Sequence, residues 1–344
     1  VGGITQQLCR ADWVIPSIRP RRSARSVWIL GRHDTCEEHA MAEIRTIDHQ
    51  PATTRRREPG GDAARRELLA PIPVAERRLH LAGIPTAVLE GGSGPPLVLL
   101  HGPAGYAAHW MHVIPGLVAT HCVVAPDLPG HGASNVGVDP LDAGRVLAWL
   151  GDLIDQTCPS PPALVGQLLG GAIAARFALD RPGRASRLVL IDTFGLCAFE
   201  PEPAFGQALN AFLAQPTEQT HEHLWRQCAF DLDGLRQRMG QRWQPFMAYN
   251  IDRIRTPAVQ AALHTLMQQF GTALAPAELE RIDVPTALIW GRHDRATPLS
   301  VAEAASSCYH WPLHVIDDAN DDPPVERPDA LLRVLRAVLD GATP

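Results

Sequence analysis

Residues 164–172 read LVGQLLGGA. An apolar run from Ala163 to Val165 enters the stretch as a buried strand does, and the exit, GGAIAARFAL, has small and apolar residues at helical spacing. Between the two, Gly166 and Gly170 frame a tight turn whose middle residue is Leu168. A strand that turns on glycines straight into a helix is a building unit of a parallel sheet covered by helices.

The same unit recurs outward in both directions. Buried-strand runs stand at PPLVLLHG (95–102), THCVVAPD (120–127), RLVLID (187–192), PTALIWG (285–291) and LHVIDD (313–318), with two shorter alternations, RRLHL (77–81) and TAVLE (86–90), ahead of them. Helical patterns separate them: AAHWMHVIPGLVA (107–119), AGRVLAWLGDLIDQ (143–156), SVAEAASS (300–307) and DALLRVLRAVL (329–339). The predicted fold is α/β, a mostly parallel twisted sheet of about eight strands flanked by helices. The alternation breaks once, between Asp192 and Pro285. There, segments such as ALNAFLAQ, HLWRQCAF, FMAYNI and ALHTLMQQF predict a helical lid inserted after the sixth strand.

Composition bounds the rest. The chain has 344 residues, 45% hydrophobic and 20% charged, ordinary for a globular protein with ample core. No apolar run approaches the roughly 18 residues of a membrane span and no signal-like stretch opens the chain, so a cytoplasmic protein is expected. Seven scattered cysteines without CxxC spacing predict free thiols and no zinc site. All 31 basic residues are arginine, which we read as the codon usage of a GC-rich bacterial genome. Residues 1–66 carry 12 Arg against 8 acids, a net of +4, and the remainder 19 against 29, a net of −10. A main domain this acidic argues against a nucleic-acid partner. Residues 1–75 are expected to form an Arg-rich, disordered extension, with 1–40 an over-extended start ahead of Met41. The core is then 76–194 and 281–344, and the lid 195–280.

At this point the chain, from about residue 76 to 341, resembles the α/β-hydrolase superfamily. Four landmarks fall in that family's order: His101-Gly102-Pro103 after a buried strand, the D-x-x-G-x-G-x-S turn of Asp127 to Ser134, the Gly166–Gly170 elbow, and Gly291-Arg292-His293-Asp294 at a strand end. ERPDALLRVLRAVL resembles the closing helix. The family's chemistry needs a serine on the strained elbow, a histidine base, a carboxylate to orient it, and two N–H groups for the oxyanion.

The resemblance places Leu168 at the nucleophile position, where it has no lone pair to attack with. Either the turn has relaxed with the loss of catalysis, or Leu168 forms the apolar floor of a ligand pocket. Aligned on Glu326-Arg327-Pro328, the base position is Asp321 in DDANDD, so histidine is absent there. Asp294 keeps the acid position. The two carboxylates are either solvated loop acids or a close pair with one raised pKa, able to shuttle a proton. The oxyanion positions are Leu169, whose N–H survives any side chain, and Pro103, which has none, with Ala104 or Gly105 as the substitute donor if the loop is shifted. His101 is a structural residue of its motif or, alternatively, a base. Gln167 is a candidate ligand contact, Asp192 a strand-end acid, and Cys197 a thiol at the root of the lid. No metal-ligand spacing is present among these residues and no cofactor is implied.

Two functions lead, with one behind them. One is a non-catalytic member binding a small apolar molecule under its lid, or a protein partner or second copy at its surface. The other is an enzyme with non-serine chemistry (an isomerase, lyase or cofactor-free oxygenase) using the carboxylates or Gln167. Conventional ester or amide hydrolysis is the third and weakest.

Overall fold

The structure, a computed structural model, describes residues 61–341. The tail's expected disorder up to residue 60 and the over-extended start at 1–40 lie outside those residues.

Eight strands form one sheet in the order β1-β2-β4-β3-β5-β6-β7-β8. They are β1 (Ala75–Leu81), β2 (Ile84–Gly91), β3 (Pro96–Leu100), β4 (Cys122–Pro126), β5 (Ala163–Gln167), β6 (Arg187–Ile191), β7 (Thr286–Gly291) and β8 (Leu313–Ile316). β1 and β2 pair antiparallel, as do β2 and β4, and all later pairs are parallel. The parallel strands β3, β5 and β7 are buried along their whole length, which is why they read as unbroken apolar runs.

Helices are α1 (Gly61–Leu69), α2 (Ala143–Thr157), α3 (Leu169–Asp180), α4 (Pro203–Ala214), α5 (Glu218–Cys228), α6 (Leu232–Met239), α7 (Trp243–Ile254), α8 (Pro257–Phe270), α9 (Leu299–Tyr309) and α10 (Pro328–Leu339). Helices α2, α3 and α9 contribute to the core on one face of the sheet; α1 and α10 contribute to the other. The five from α4 to α8 form the insert between β6 and β7, with an apolar cluster of their own around Phe212, Met247 and Ile254.

Two expectations need correction. Residues 61–75 are not disordered: α1 packs on α7, and Gly61 lies so close to Asp252 that a Cβ there would sit 2.0 Å from its carboxylate. Arg65 on α1 is buried and pairs with the fully buried Asp127, Nη2 to Oδ2 at 2.9 Å, while its Nη1 donates to Tyr249 of α7 at 3.4 Å. A buried guanidinium with a carboxylate partner explains why this arginine belongs to the fold although its neighbours in sequence read as a solvated basic run. The second correction concerns 107–119. It folds as a 3₁₀ turn (Ala107–Trp110) and a single helical turn (Ile114–Leu117), not one helix. Pro115 cannot donate to the preceding turn, and its ring clashes with a continuing helix.

No helix among the described residues is long and apolar enough to cross a membrane. Among the described residues, Cys122, Cys158, Cys197 and Cys228 are free thiols.

Candidate functional site

The site lies at the carboxyl ends of the parallel strands, where open α/β sheets place their ligand crevices. Its centre is the turn from β5 to α3. Leu168 sits there at φ 45°, ψ −110°, so the turn has not relaxed. Holding a branched residue in this region costs about 1–3 kcal/mol, which the surroundings must enforce. They do so through the main chain. The Leu168 N–H donates to Ile191 O (2.9 Å), and its carbonyl accepts from the N–H groups of Ala172 (3.1 Å) and Phe194 (3.2 Å) and from Thr193 Oγ1 (3.2 Å). Glycine is required beside it for packing: a Cβ on Gly170 would meet the carbonyl of Leu100 at 2.3 Å.

Leu168 is 6% exposed and lines a cavity of about 440 Å³ between the strand ends and the insert. The upper walls are apolar and aromatic, including Phe194, Phe199, Phe212, Trp225, Leu263 and Met267. Phe194 and Phe199 meet edge to face at 4.8 Å. The floor is polar. Gln167, Asp321 and Asp322 reach it beside Leu168, with Gly102, Pro103 and Ala104 on the β3 side. Gln167 Nε2 donates to Asp321 O (2.9 Å) and to Asp322 Oδ1 (3.0 Å), tying the elbow to the loop after β8. Its Oε1 has no partner, nor does Asp321 Oδ1.

The expectation of solvated loop acids fails. Asp294 is 6% exposed and Asp321 4%. The loop after β8 is covered because Asn320 Nδ2 donates to Gln227 O of α5 (2.8 Å) and Glu326 bonds the Asn320 and Phe230 N–H groups (2.8 and 2.6 Å). Burial pushes Asp322 up to about 8, with the Glu326 charge adding to it. Glu326 itself is pushed up to about 7 by burial. Burial, then the Asp294 and Asp322 charges, hold Asp321 well above the usual carboxylate range. Asp294 rises to about 6 through burial, although Thr297 Oγ1 and the N–H groups of Ala296 (2.7 Å) and Thr297 (2.8 Å) donate to it. Asp192 is held high by burial and by Asp294 while accepting from the Gly291 N–H (2.8 Å). Among the described residues no ion pair reaches any of these five acids.

The structure therefore brings Leu168, Gln167, Pro103, Ala104 and Asp321 to one cavity, with Asp294 and Asp192 outside its lining. His101 is structural. Its Nε2 accepts from the Leu128 N–H (2.9 Å), so the ring is neutral and its Nδ1–H donates to Gly102 O (2.8 Å). Burial lowers its pKa further from any basic role. Cys197 does not line the cavity; its thiol donates to Ala198 O, and burial raises it. Of the oxyanion positions, Leu169 opens α3, where the first N–H groups have no intrahelical acceptor. Pro103 offers none, and Ala104 stands at φ 57°. The motifs gave no notice of Asp322 as a cavity residue, nor of Cys228, Asn250 and His109 in the wall. The His109 ring is pushed down to about 4 by burial and is neutral. No group of three or more His, Cys, Asp or Glu among the described residues is placed to hold a metal ion.

Comparisons with known proteins identify the family of this fold. Residues 97–334 match the profile described as "Alpha/beta hydrolase family". The chain is 29% identical over 216 residues to a pimeloyl-[acyl-carrier protein] methyl ester esterase of Nitrosomonas europaea, covering 62% of this chain and 82% of that one. It is 28% identical over 243 residues to a 2-hydroxy-6-oxo-6-phenylhexa-2,4-dienoate hydrolase of Comamonas testosteroni, covering 64% and 83%. Among solved structures, a bacterial membrane phospholipase A superposes with a TM-score of 0.70 at 24% identity, over 82% of this chain and 91% of that one.

Proposed function

The chain belongs to the alpha/beta hydrolase family, and on that premise we propose that it binds a small, largely apolar molecule beneath its helical insert and lacks serine-type hydrolysis. The observation that carries this is the side chain at the elbow. Leu168 occupies the strained turn from which the family's serine attacks, and it presents a hydrocarbon to the cavity. Asp321 stands at the family's base position, where a carboxylate has no proton to donate to Asp294 and a protonated carboxyl is too weak a base to take a serine's proton. The cavity volume of about 440 Å³ and its aromatic walls suit a drug-sized ligand. The insert then acts as a lid, and Leu168 as part of the floor.

A second reading has one observation in its favour. Asp322 lines the cavity with a carboxyl pushed up to about 8, a group that can give and take a proton near neutral pH. Proton-transfer chemistry on a bound ligand would use it, with Gln167 fixing its orientation.

The deciding experiment is turnover of a simple aryl ester together with labelling by an active-serine phosphonate. No turnover and no label are expected. Robust turnover abolished by the phosphonate overturns the proposal. Native mass spectrometry of the purified protein adds the binding arm, where a co-purifying apolar molecule is the expected result.

A further inference from the structure

We propose that the ligand of this cavity is an amine: a protonated amino group on an apolar, aryl-sized body, with the ammonium seated on the floor against Asp321 and Gln167. The inference rests on the binding function proposed above and specifies its ligand class.

Three observations carry it. The first is the unmet hydrogen-bonding capacity of the wall. Among the described residues, three cavity-lining side chains have a buried polar atom with no partner: Gln167 Oε1, Asp321 Oδ1 and Asn250 Oδ1. Gln167 Oε1 and, with its Nδ2 against His221, Asn250 Oδ1 are amide acceptors, and Asp321 Oδ1 becomes one when its carboxyl gives up its proton. The orientation of Gln167 is fixed, because its Nε2 already faces two acceptor atoms, Asp321 O and Asp322 Oδ1. A buried acceptor without a donor costs about 1–3 kcal/mol, so a ligand bringing N–H groups gains what a pure hydrocarbon cannot. An ammonium brings three donors and accepts nothing, the complement of this floor.

The second is charge. Asp321 and Asp322 line the floor, with Asp294, Asp192 and Glu326 buried around them, and among the described residues no arginine pairs with any of the five. The cavity-lining histidines are His109, neutral against the Tyr106 N–H, and His264 in the upper wall. A cation is the missing partner of such a group of acids. The third is the wall chemistry. Phe194, Phe199, Phe205, Phe212 and Trp225 surround the space above, and aromatic faces attract a desolvated cation while repelling nothing apolar. A carboxylate ligand finds no counter-ion at this floor and sets its own charge beside the buried acids.

The test compares three probes with the same phenylbutyl skeleton, phenylbutylamine, phenylbutanol and phenylbutanoate, by calorimetry on the full chain at pH 6.5. The amine is expected to bind at least about tenfold more tightly than the alcohol, and the carboxylate more weakly than either. Asp321→Asn is expected to remove most of the amine's advantage over the alcohol, since a neutral amide keeps the shape and loses the charge. Repeating the titration in buffers of different ionisation enthalpy supplies a readout independent of that variant. The amine displaces the Asp321 proton and releases it to buffer, and the alcohol does not. Equal binding of amine and alcohol, or preference for the carboxylate, overturns the proposal and leaves the apolar-ligand function standing. If none of the three binds and no apolar dye is taken up, the binding function itself falls.

Discussion

Replacing Arg65 by methionine should destabilise the protein severely, although the residue lies in a stretch of sequence that looks like a tail. Its side chain is 6% exposed and faces Asp127, which is fully buried, across 2.9 Å. Methionine keeps the length of the stem and removes the charge. Asp127 would keep the N–H groups of Ala107 (2.6 Å) and Ala133 (2.7 Å), so it is not stripped bare. It would still lose its counter-ion in a dry site, and breaking a buried pair from one side costs about 3–5 kcal/mol. That is a large part of the roughly 5–15 kcal/mol that holds a domain folded, and for a chain of this size it corresponds to a melting temperature lower by about 10 °C. The matched control is Arg184→Met, which breaks an ion pair to Asp155 whose side chains are 40% and 62% exposed. Exposed pairs are worth about 0–1 kcal/mol, so this variant should melt with the wild type. Calorimetric melts at pH 7 read both. Adding Asp127→Asn to Arg65→Met should recover part of the loss, because the uncompensated charge is then gone. If Arg65→Met melts within about 2 °C of the wild type, α1 is not part of the folded unit and the coupling it makes between core and insert does not exist.

The other expectations are shorter. Leu168→Ser alone should not confer ester hydrolysis, whereas Leu168→Ser with Asp321→His restores two of the family's three groups beside Asp294, and any gain in turnover should appear only in the double variant. Gly170→Ala should cost about 1–3 kcal/mol by urea denaturation, since the new methyl group meets the Leu100 carbonyl and the helix must move off the strand. Stability should fall as pH rises from about 4 to about 8. Asp294, Glu326 and Asp322 have folded pKa values of about 6, 7 and 8, above those of free carboxyls, so the native state holds more protons than the unfolded chain in that window. The contribution of these acids is complete below pH 4 and is lost through their folded values. Urea midpoints at pH 5 and pH 8 measure it, and Asp322→Asn should flatten the upper end of the slope.

Much of the sheet was legible because fully buried parallel strands leave unbroken apolar runs, and PLVLL, ALVGQ and TALIWG each became one. The candidate positions Leu168, Asp294 and Asp321 were read through spacing, from the elbow glycines, the Gly291-Arg292-His293 strand end and the Glu326-Arg327-Pro328 stretch respectively, without reference to what the side chains do. Burial was not legible. DDANDDPP has the composition of a solvent-exposed loop, and its first two acids are exposed, whereas the insert, packed over the rest through Gln227 and Asn320, turns Asp321 and Asp322 into interior groups. That contact joins residues 93 apart, and nothing local announces it. Arg65 failed for a related reason. GDAARRELL is polar by composition and has few apolar positions to mark a face, so its membership of the fold depends on a carboxylate 62 positions away, at Asp127.

The elbow has a practical consequence. Its conformation is held by main-chain bonds to Ile191, Ala172 and Phe194 and by close glycine packing, and the side chain at position 168 contributes nothing to any of them. Whatever residue is installed there will project from the same point on the cavity floor. Position 168 is therefore a ready attachment point: a cysteine placed there can carry an environment-sensitive dye or a tethered fragment, converting the elbow into a sensor of what the cavity holds.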